Sequence, residues 1–182
     1  MLSRSDALAL VQQHVPNRNL VKHMIAVEAV MRRLARRFGE DEEVWSLAGL
    51  LHDLDYMETA EAFDRHGFRT AEILAGKDVP AEALHAIMAH PGHLPRESRM
   101  DQALYAVDPL TGLIVAGALM HPQKKLAALD VEYLLRRFKE KRFAAGADRG
   151  QIQSCAELGL PLEEFLRLGL EGMNEVSGEL GF

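Results

Sequence analysis

The chain has 182 residues, 48% of them hydrophobic and 26% charged, so it is long enough for one domain with a substantial core. Its formal net charge of −6 argues against a general nucleic-acid binder, since such proteins usually carry an excess of Lys and Arg. The single cysteine, Cys155, cannot form an intramolecular disulfide, and the first residues lack a secretory signal pattern, so we predict a cytoplasmic location. The longest apolar stretch, 105–120, contains Asp108 and Pro109 and is too short to span a membrane, so no membrane segment is predicted.

Hydrophobic periodicity predicts an all-α fold. Apolar residues recur three and four positions apart, and the period-two alternation of a strand is missing. In chain order, the caps and breakers predict helices from Ser3 or Ser5 to about Gln13, from about Leu20 to Gly39, over residues 41–52, 66–75, 80–89, 101–120, 130–141 and 148–158, and onward from Pro161. A loop is expected over residues 54–65. The last helix is expected to pack on the domain, with packing on a second chain as the alternative.

Polar residues interrupt apolar helix faces at several positions and indicate a divalent-metal centre. A single histidine on an apolar face is more often a hydrogen-bonded core residue than a ligand. Here, however, His23 lies in the stripe between Leu20 and Val27, and the pair His52-Asp53 follows the apolar run 48–51. Asp108 interrupts the apolar helix 103–120, where an ionised carboxylate is tolerable mainly beside a metal or a paired base. Imidazole and carboxylate ligands suit Mn, Fe, Zn or Ni.

The order of these residues resembles that of a known family. The segment Leu50-Leu51-His52-Asp53, with His23 upstream and Ala106-Val107-Asp108 downstream, closely resembles the HD superfamily of metal-dependent phosphohydrolases. The resemblance covers roughly residues 19–120, and it implies one domain over 1–182: a compact helical bundle with additional C-terminal helices over 121–182. It also implies that one divalent cation (Fe, Mn, Zn, Ni, Co or Mg) is bound by His23, His52, Asp53 and Asp108.

Two further histidines decide whether the resemblance implies one ion or two. Family members with a two-metal centre add two histidines between the His-Asp pair and the last aspartate, and His66 and His90 resemble these additions. Asp53 is then the expected bridge between the ions. His85 and His93 compete for the same positions. His85 is expected to face elsewhere, and His93, in a Pro/Gly loop, is assigned to substrate contact, with an exposed loop histidine as the alternative.

Two metals a few ångströms apart can clamp a phosphate and supply a hydroxide at neutral pH, which predicts hydrolysis of a phosphoester or phosphoanhydride through a metal-bound hydroxide. No Gly-x-Ser-x-Gly elbow or phosphate-binding Gly-rich loop occurs in the chain. We therefore assign the catalytic role to Asp53 and to Asp55. Asp55 would orient a ligand or a metal-bound water, with a simple turn or capping role as the alternative.

A basic segment follows the Asp108 helix. Many family members carry a lysine soon after the His-Asp pair, whereas this chain has Asp55 and Tyr56 there. Lys125, Lys141 and Arg149 are therefore expected to bind the substrate phosphate, with a solvated helix face as the alternative.

The expected partner is a small phosphorylated compound, most simply a nucleotide, rather than a nucleic-acid polymer or a membrane. A self-associated oligomer stays open. Two other functions also stay open: a di-iron oxygenase on the same scaffold, and a non-catalytic sensor that binds a nucleotide.

Overall fold

The computed structural model describes residues 1–182 and contains helices and turns with no β-strand, so the predicted all-α fold is confirmed. The α-helices are α1 (Arg4–His14), α2 (Arg18–Phe38), α3 (Glu42–Leu51), α4 (Tyr56–Thr59), α5 (Phe68–Ile73), α6 (Ala81–Ala89), α7 (Arg99–Met120), α8 (Val131–Lys139), α9 (Arg149–Gln153), α10 (Leu162–Glu175) and α11 (Ser177–Leu180). Three short 3₁₀ helices cover Phe63–Arg65, Leu126–Ala128 and Ser154–Leu158.

Capping residues fix where the long helices begin and end. The side chain of Ser3 accepts a hydrogen bond from the backbone N–H of Asp6 at the start of α1, and Asp41 does the same for α3. Gly39 ends α2 in the left-handed conformation, at φ +71°. Ser98 and Asp101 form a reciprocal capping box at the start of α7. The predicted bounds of these helices are confirmed to within a few residues.

Three segments differ from the sequence-based expectation. The predicted loop 54–65 contains α4 and a 3₁₀ turn, because backbone hydrogen bonds between residues three or four positions apart form single helical turns there. The predicted helix 148–158 is α9 followed by the 3₁₀ helix Ser154–Leu158, and the short α11 follows α10. Short elements of this kind have too few residues for a periodic apolar pattern to identify them.

The core lies between α2, α3, α7 and α10. Helix α2 packs against the other three, and α7 also contacts α6 and α9. Helix α10 packs on α2, α7 and α8, which confirms the expectation that the last long helix packs on the domain. Its acidic residues also pair with the arginines that α2 presents, as in the Arg33–Glu171 contact. The backbone of α2 therefore runs through the middle of the bundle.

Helix α7 is long and apolar enough to span a membrane by length and composition alone, the one such helix in the chain. In the structure, slightly more than half of its most apolar stretch is buried inside the protein, against α2, α6 and α10. Packing in the core accounts for that composition.

Close backbone packing joins α2 and α3 at Gly49. A Cβ atom at this position would lie 2.9 Å from the Cα atom of Glu28, a distance that real side chains essentially never show. We expect Gly49→Ala to destabilise the protein by about 1–3 kcal/mol through overpacking, despite the better helix propensity of alanine. Thermal unfolding of Gly49→Ala and of the control Gly112→Ala measures this. Gly112 is a helical glycine with open space around its missing Cβ, so its replacement should be neutral or stabilising. Equal melting temperatures for the two variants would contradict the packing argument.

Candidate metal centre

Six side chains from five segments of the chain converge on one cluster. His23 comes from α2, and Asp108 comes from α7. The residues that the sequence singled out, and that the structure brings together, are His23, His52, Asp53, His66, His90 and Asp108. His52, Asp53, His66 and His90 are buried, whereas His23 and Asp108 are partly exposed at the edge of the cluster.

The carboxylate of Asp53 lies at the middle of the cluster. Its Oδ1 atom lies 3.2 Å from Nε2 of His66, 3.5 Å from Nε2 of His52 and 3.6 Å from Nε2 of His90. Its Oδ2 atom faces the other way and lies 3.7 Å from Nε2 of His23. The two oxygens of Asp53 therefore face two different groups of imidazoles.

Two sets of ligand atoms can be distinguished around Asp53. His23, His52 and Asp108 form one compact set, and His52, Asp53 and His90 form the other. In the first set, Nε2 of His23 lies 3.0 Å from Oδ1 of Asp108, and Nε2 of His52 lies 3.8 Å from it. Ligand atoms bound to one ion at about 2.1 Å lie roughly 3 to 4.2 Å from each other, so these separations fit a shared cation.

Outer contacts fix the orientation of each ring. Nδ1 of His52 donates to the carbonyl of Gly49 at 2.8 Å, and Nδ1 of His90 donates to the carbonyl of Ile87 at 2.6 Å. These bonds place the ring proton on Nδ1 and leave Nε2 as a lone-pair donor toward the cluster.

The hydroxyl of Thr111 fixes the orientation of the His23 ring. It donates to the carbonyl of Asp108 at 3.0 Å, which leaves it free to accept from Nδ1 of His23 at 3.0 Å.

One buried atom of the cluster has no hydrogen-bond partner, and it tests whether the residues fit a metal ion. Nε2 of His52 is inaccessible to solvent and makes no hydrogen bond, although its ring is held firmly by the carbonyl of Gly49. An unsatisfied buried nitrogen costs roughly 1–3 kcal/mol, and a cation bound at this nitrogen would remove that cost. The donor set of imidazole nitrogens and carboxylate oxygens suits a borderline divalent ion, and the residues therefore fit the group.

The charges of the cluster also favour a cation. Burial alone would raise the pKa of Asp53 and of Asp108, but the surrounding imidazoles hold the pKa of both carboxyls below its ordinary value. Burial lowers the pKa of His90. Burial would also lower the pKa of His66, but its hydrogen bonds to Asp53 and Asp55 outweigh burial and raise that pKa to about 9. Both carboxylates are thus ionised at neutral pH, and a metal ion bound by His66 would displace the proton that this ring holds.

Asp55 is fully buried and acts on His66 from outside the cluster. Its Oδ1 accepts from Nδ1 of His66 at 2.7 Å, while its Oδ2 accepts from the backbone N–H groups of Gly67 and Thr70 at 2.8 and 3.0 Å. The carboxylate thus orients an imidazole and also caps the first turn of α5. Both roles considered from the sequence, orienting a ligand and capping a turn, therefore occur together. It does not line the cavity beside the cluster, so the geometry gives Asp55 a positioning contact rather than a contact with substrate.

Gly67 brings the segment that carries His66 close to the one that carries His90. Its φ of +79° lies in the left-handed region, and a Cβ atom there would come within 2.6 Å of the carbonyl oxygen of Ile87. That oxygen is the acceptor for Nδ1 of His90.

A cavity of about 340 Å³ opens onto the cluster. Five of the six predicted ligands line it, namely His23, Asp53, His66, His90 and Asp108. The rest of the wall, which sequence reasoning did not assign to the site, consists of Leu20, Tyr56, Phe63, Pro91 and Gln151. No lysine or arginine lines this cavity.

Gln151 reaches the cavity wall because of a proline in α7. Pro109 has no N–H, so the carbonyl of Tyr105 lacks its usual partner within the helix. Nε2 of Gln151 donates to that carbonyl at 2.8 Å and fastens α9 to α7 next to Asp108. The signal in the sequence is the proline itself, but its distant partner could not be identified from it.

His93 supports the wall and does not itself line the cavity. Its Nε2 donates to the carbonyl of Phe63 at 2.7 Å, and its ring stacks on Phe68 with the centroids 5.8 Å apart. The structure therefore places His93 behind Phe63, where it holds a residue that does face the cavity.

The basic segment is not brought to the cluster. Lys125 and Lys141 are exposed and line neither the main cavity nor a shallower one of about 370 Å³ beside His23 and Asp108. The guanidinium of Arg149 donates to the backbone carbonyls of residues 138, 143, 144 and 147. These carbonyls belong to the segment that precedes Arg149, and part of that segment lines the shallower cavity. Arg149 therefore has a structural role in place of the expected contact with substrate.

The sequence profile of the HD domain matches residues 20–149, which is more than two thirds of the chain and includes all six residues of the cluster. The chain therefore belongs to the HD domain family, and the resemblance seen in the sequence is confirmed. Membership places the chain in the superfamily of metal-dependent phosphohydrolases, whose domains bind divalent metals.

Among curated proteins, the chain is similar to several called Ribonuclease Y. It is 31% identical over 93 residues to those of Acholeplasma laidlawii and of a Sulfurovum species, which covers 51% of this chain and 18% of each relative. It is 27% identical over 134 residues to that of Desulfotalea psychrophila, which covers 72% of this chain and 26% of the relative. The chain thus spans about a fifth to a quarter of the length of these relatives. No solved structure matches it.

The central position of Asp53 leads to a prediction about metal content. We expect Asp53→Ala to lose bound metal, because its Oδ1 lies among the nitrogens of His52, His66 and His90 and its Oδ2 faces His23. Elemental analysis of the purified protein after loading with Mn²⁺ measures this. His93→Ala is the control and should keep the wild-type metal content, since His93 bonds only to the backbone of Phe63. Equal metal content in wild type and Asp53→Ala would refute the site.

The contacts of Asp55 lead to a second prediction. In Asp55→Asn, the amide NH₂ would face the N–H groups of Gly67 or Thr70, or else the Nδ1–H group of His66, so one acceptor is lost and the orientation of His66 is disturbed. We expect metal binding on the His66 side of the cluster to weaken about 10- to 100-fold, while binding on the side of His23 and Asp108 is retained. Metal titration monitored by calorimetry measures the affinity for the metal on each side of the cluster. Asp64→Asn removes an exposed carboxylate from the same segment and is the matched control; identical titrations for the two variants would contradict the prediction.

Proposed function

We propose that the protein is a phosphohydrolase with two divalent ions at the cluster, which cleaves a phosphoester or phosphoanhydride bond in a small, nucleotide-like substrate. The observation that carries this proposal is the arrangement around Asp53, whose Oδ1 faces His52, His66 and His90 and whose Oδ2 faces His23. Membership in the HD domain family supports the same class of chemistry.

The contacts within the cluster suggest which residues would hold each ion. His23 and Asp108 would hold one ion and His66 and His90 the other, with Asp53 and His52 positioned between the two pairs. Ions held there would polarise the phosphoryl group and lower the pKa of water. The chain contributes fixed nitrogen and oxygen ligands, since Nδ1 of each ring is already engaged by a partner outside the cluster.

The shape of the site supports a small substrate. A cavity of about 340 Å³ is near the lower limit of pockets that enclose a small molecule, and it opens to solvent on one side. Because no lysine or arginine lines it, the substrate phosphate would be held by the ions and not by protein cations. This supports a substrate with one reacting phosphate at the cluster and the remainder of the molecule against the cavity wall.

A second candidate substrate is RNA. The observation that favours it is the similarity to proteins named Ribonuclease Y over a stretch of 93 residues, although the chain spans only 18% of their length. Hydrolysis of an RNA phosphodiester would use the same ions and ligands, so the two candidates differ in the substrate rather than in the chemistry.

A substrate screen tests the proposal. The protein, loaded separately with Mn²⁺, Fe²⁺, Co²⁺, Ni²⁺, Zn²⁺ or Mg²⁺, is incubated with nucleotides, dinucleoside polyphosphates and a short RNA, and the products are separated by chromatography. We expect metal-dependent release of phosphate or nucleotide, and none from Asp53→Ala, because that variant lacks the carboxylate at the middle of the cluster.

Three outcomes would go against the leading proposal. Cleavage confined to RNA would favour the second candidate. Oxygen consumption with Fe²⁺ in the absence of any hydrolysis would favour an oxygenase. Tight nucleotide binding without turnover under any metal would favour a sensor.

A further inference from the structure

The two most exposed aromatic side chains of the protein both line the cavity at the metal centre. Tyr56 is 43% exposed and Phe63 is 54% exposed, whereas the other aromatic rings are buried or half-buried. Leaving a phenylalanine ring in water forgoes roughly 1.5–3 kcal/mol that burial would provide. Folding alone therefore gives no reason for this placement, since neither ring fills the core.

Both rings flank one candidate ligand. The centroid of Tyr56 lies 5.6 Å from that of His66 in an edge-to-face arrangement, and the centroid of Phe63 lies 5.4 Å from it. His66 in turn has its Nε2 within 3.2 Å of Oδ1 of Asp53. The aromatic surface thus begins directly beside the cluster, next to His66 in the wall of the cavity.

Phe63 is held in place although it is exposed. Nε2 of His93 donates to its carbonyl at 2.7 Å, and the His93 ring contacts the Phe63 ring edge-on with the centroids 5.3 Å apart. On its other side His93 stacks on Phe68. A preorganised aromatic surface of this kind loses little entropy when a flat ring stacks on it.

Outside the metal cluster, the cavity wall can select a substrate mainly by stacking on its aromatic rings. The wall contains no cationic side chain, and apart from the cluster its only polar side chains are Gln151 and the hydroxyl of Tyr56. Gln151 already uses its Nε2 on the carbonyl of Tyr105. A substrate group next to the phosphate therefore meets apolar and aromatic surface.

We propose that Tyr56 and Phe63 are specificity residues that bind a planar ring, of the nucleobase kind, attached near the reacting phosphate. This inference deepens the proposed function and rests on it for the position of the phosphate. His93 is a positioning residue for Phe63.

Two probes that differ by the ring alone test the proposal. Adenosine 5′-monophosphate and ribose 5-phosphate carry the same sugar phosphate, but only the first has a base. Calorimetry on the Mn²⁺-loaded protein gives their affinities, and KM serves for a probe that is turned over. We expect the wild-type protein to prefer adenosine 5′-monophosphate about tenfold or more, which is the size of one stacking contact.

Substitutions then assign the preference to the two rings. Phe63→Leu and Tyr56→Leu keep an apolar side chain and remove the flat surface, so each should reduce the preference about fivefold or more and leave the affinity for ribose 5-phosphate unchanged. Met57→Leu is the control, because Met57 is 47% exposed between the two rings along the chain and does not line the cavity. It should keep the wild-type preference. Since all three side chains are exposed, their replacement leaves the core intact.

The outcomes separate this inference from the proposed function. Equal affinity of wild type for the two probes, or an equal loss for both probes in Phe63→Leu and Tyr56→Leu, would overturn the ring site even if the protein hydrolyses phosphate esters. A ring preference that Phe63→Leu or Tyr56→Leu abolishes, in a protein that hydrolyses no phosphate ester with any metal, would overturn the proposed function and keep the ring site.

Discussion

A buried, ionised carboxylate among imidazoles is the interaction on which the rest of this structure depends. Asp53 is 5% exposed, and both of its oxygens face histidine nitrogens. A carboxylate in such a place is tolerated only where cations or strong donors meet it, so the helices that carry those donors must hold a fixed arrangement. Gly49 shows how packing serves this need. Its missing side chain lets α2 approach α3, and its carbonyl holds the ring of His52 one turn later.

Helix ends supply much of the outer support of the cluster. His52 and His90 are the C-cap residues of α3 and α6, and each donates from Nδ1 to the backbone carbonyl three positions earlier. Carbonyls in the last turn of a helix lack partners within the helix, so the rings satisfy groups that would otherwise need water. The negative ends of two helix dipoles are thereby directed at the cluster and favour positive charge there. The C-terminal end of each of these helices thus orients a candidate ligand and also favours a cation at the cluster.

The sequence could predict His23, His52, Asp53 and Asp108 because each of them interrupts or ends an apolar run, as Asp108 does within α7. His66 and His90 are predicted from the family resemblance instead. It could predict the long helices because their caps and apolar periodicity agree, as at Gly39. The cavity wall carries no such signal. Tyr56 and Phe63 lie in what the sequence presents as a loop, and nothing local to Arg149 shows that its guanidinium is used by nearby carbonyls. Contacts of this kind depend on how the chain folds back on itself, which spacing along the sequence does not encode.

Gly67 links the orientations of two candidate ligands, His66 and His90. The carbonyl of Ile87 sits against Gly67 on one side and holds the ring of His90 on the other. Asp55 ties the same glycine to the ring of His66 through one carboxylate. Any side chain at position 67 would push on that carbonyl and so turn a ring on the neighbouring helix. The orientations of the two imidazoles are therefore linked through one glycine, so a change at position 67 would disturb His66 and His90 together.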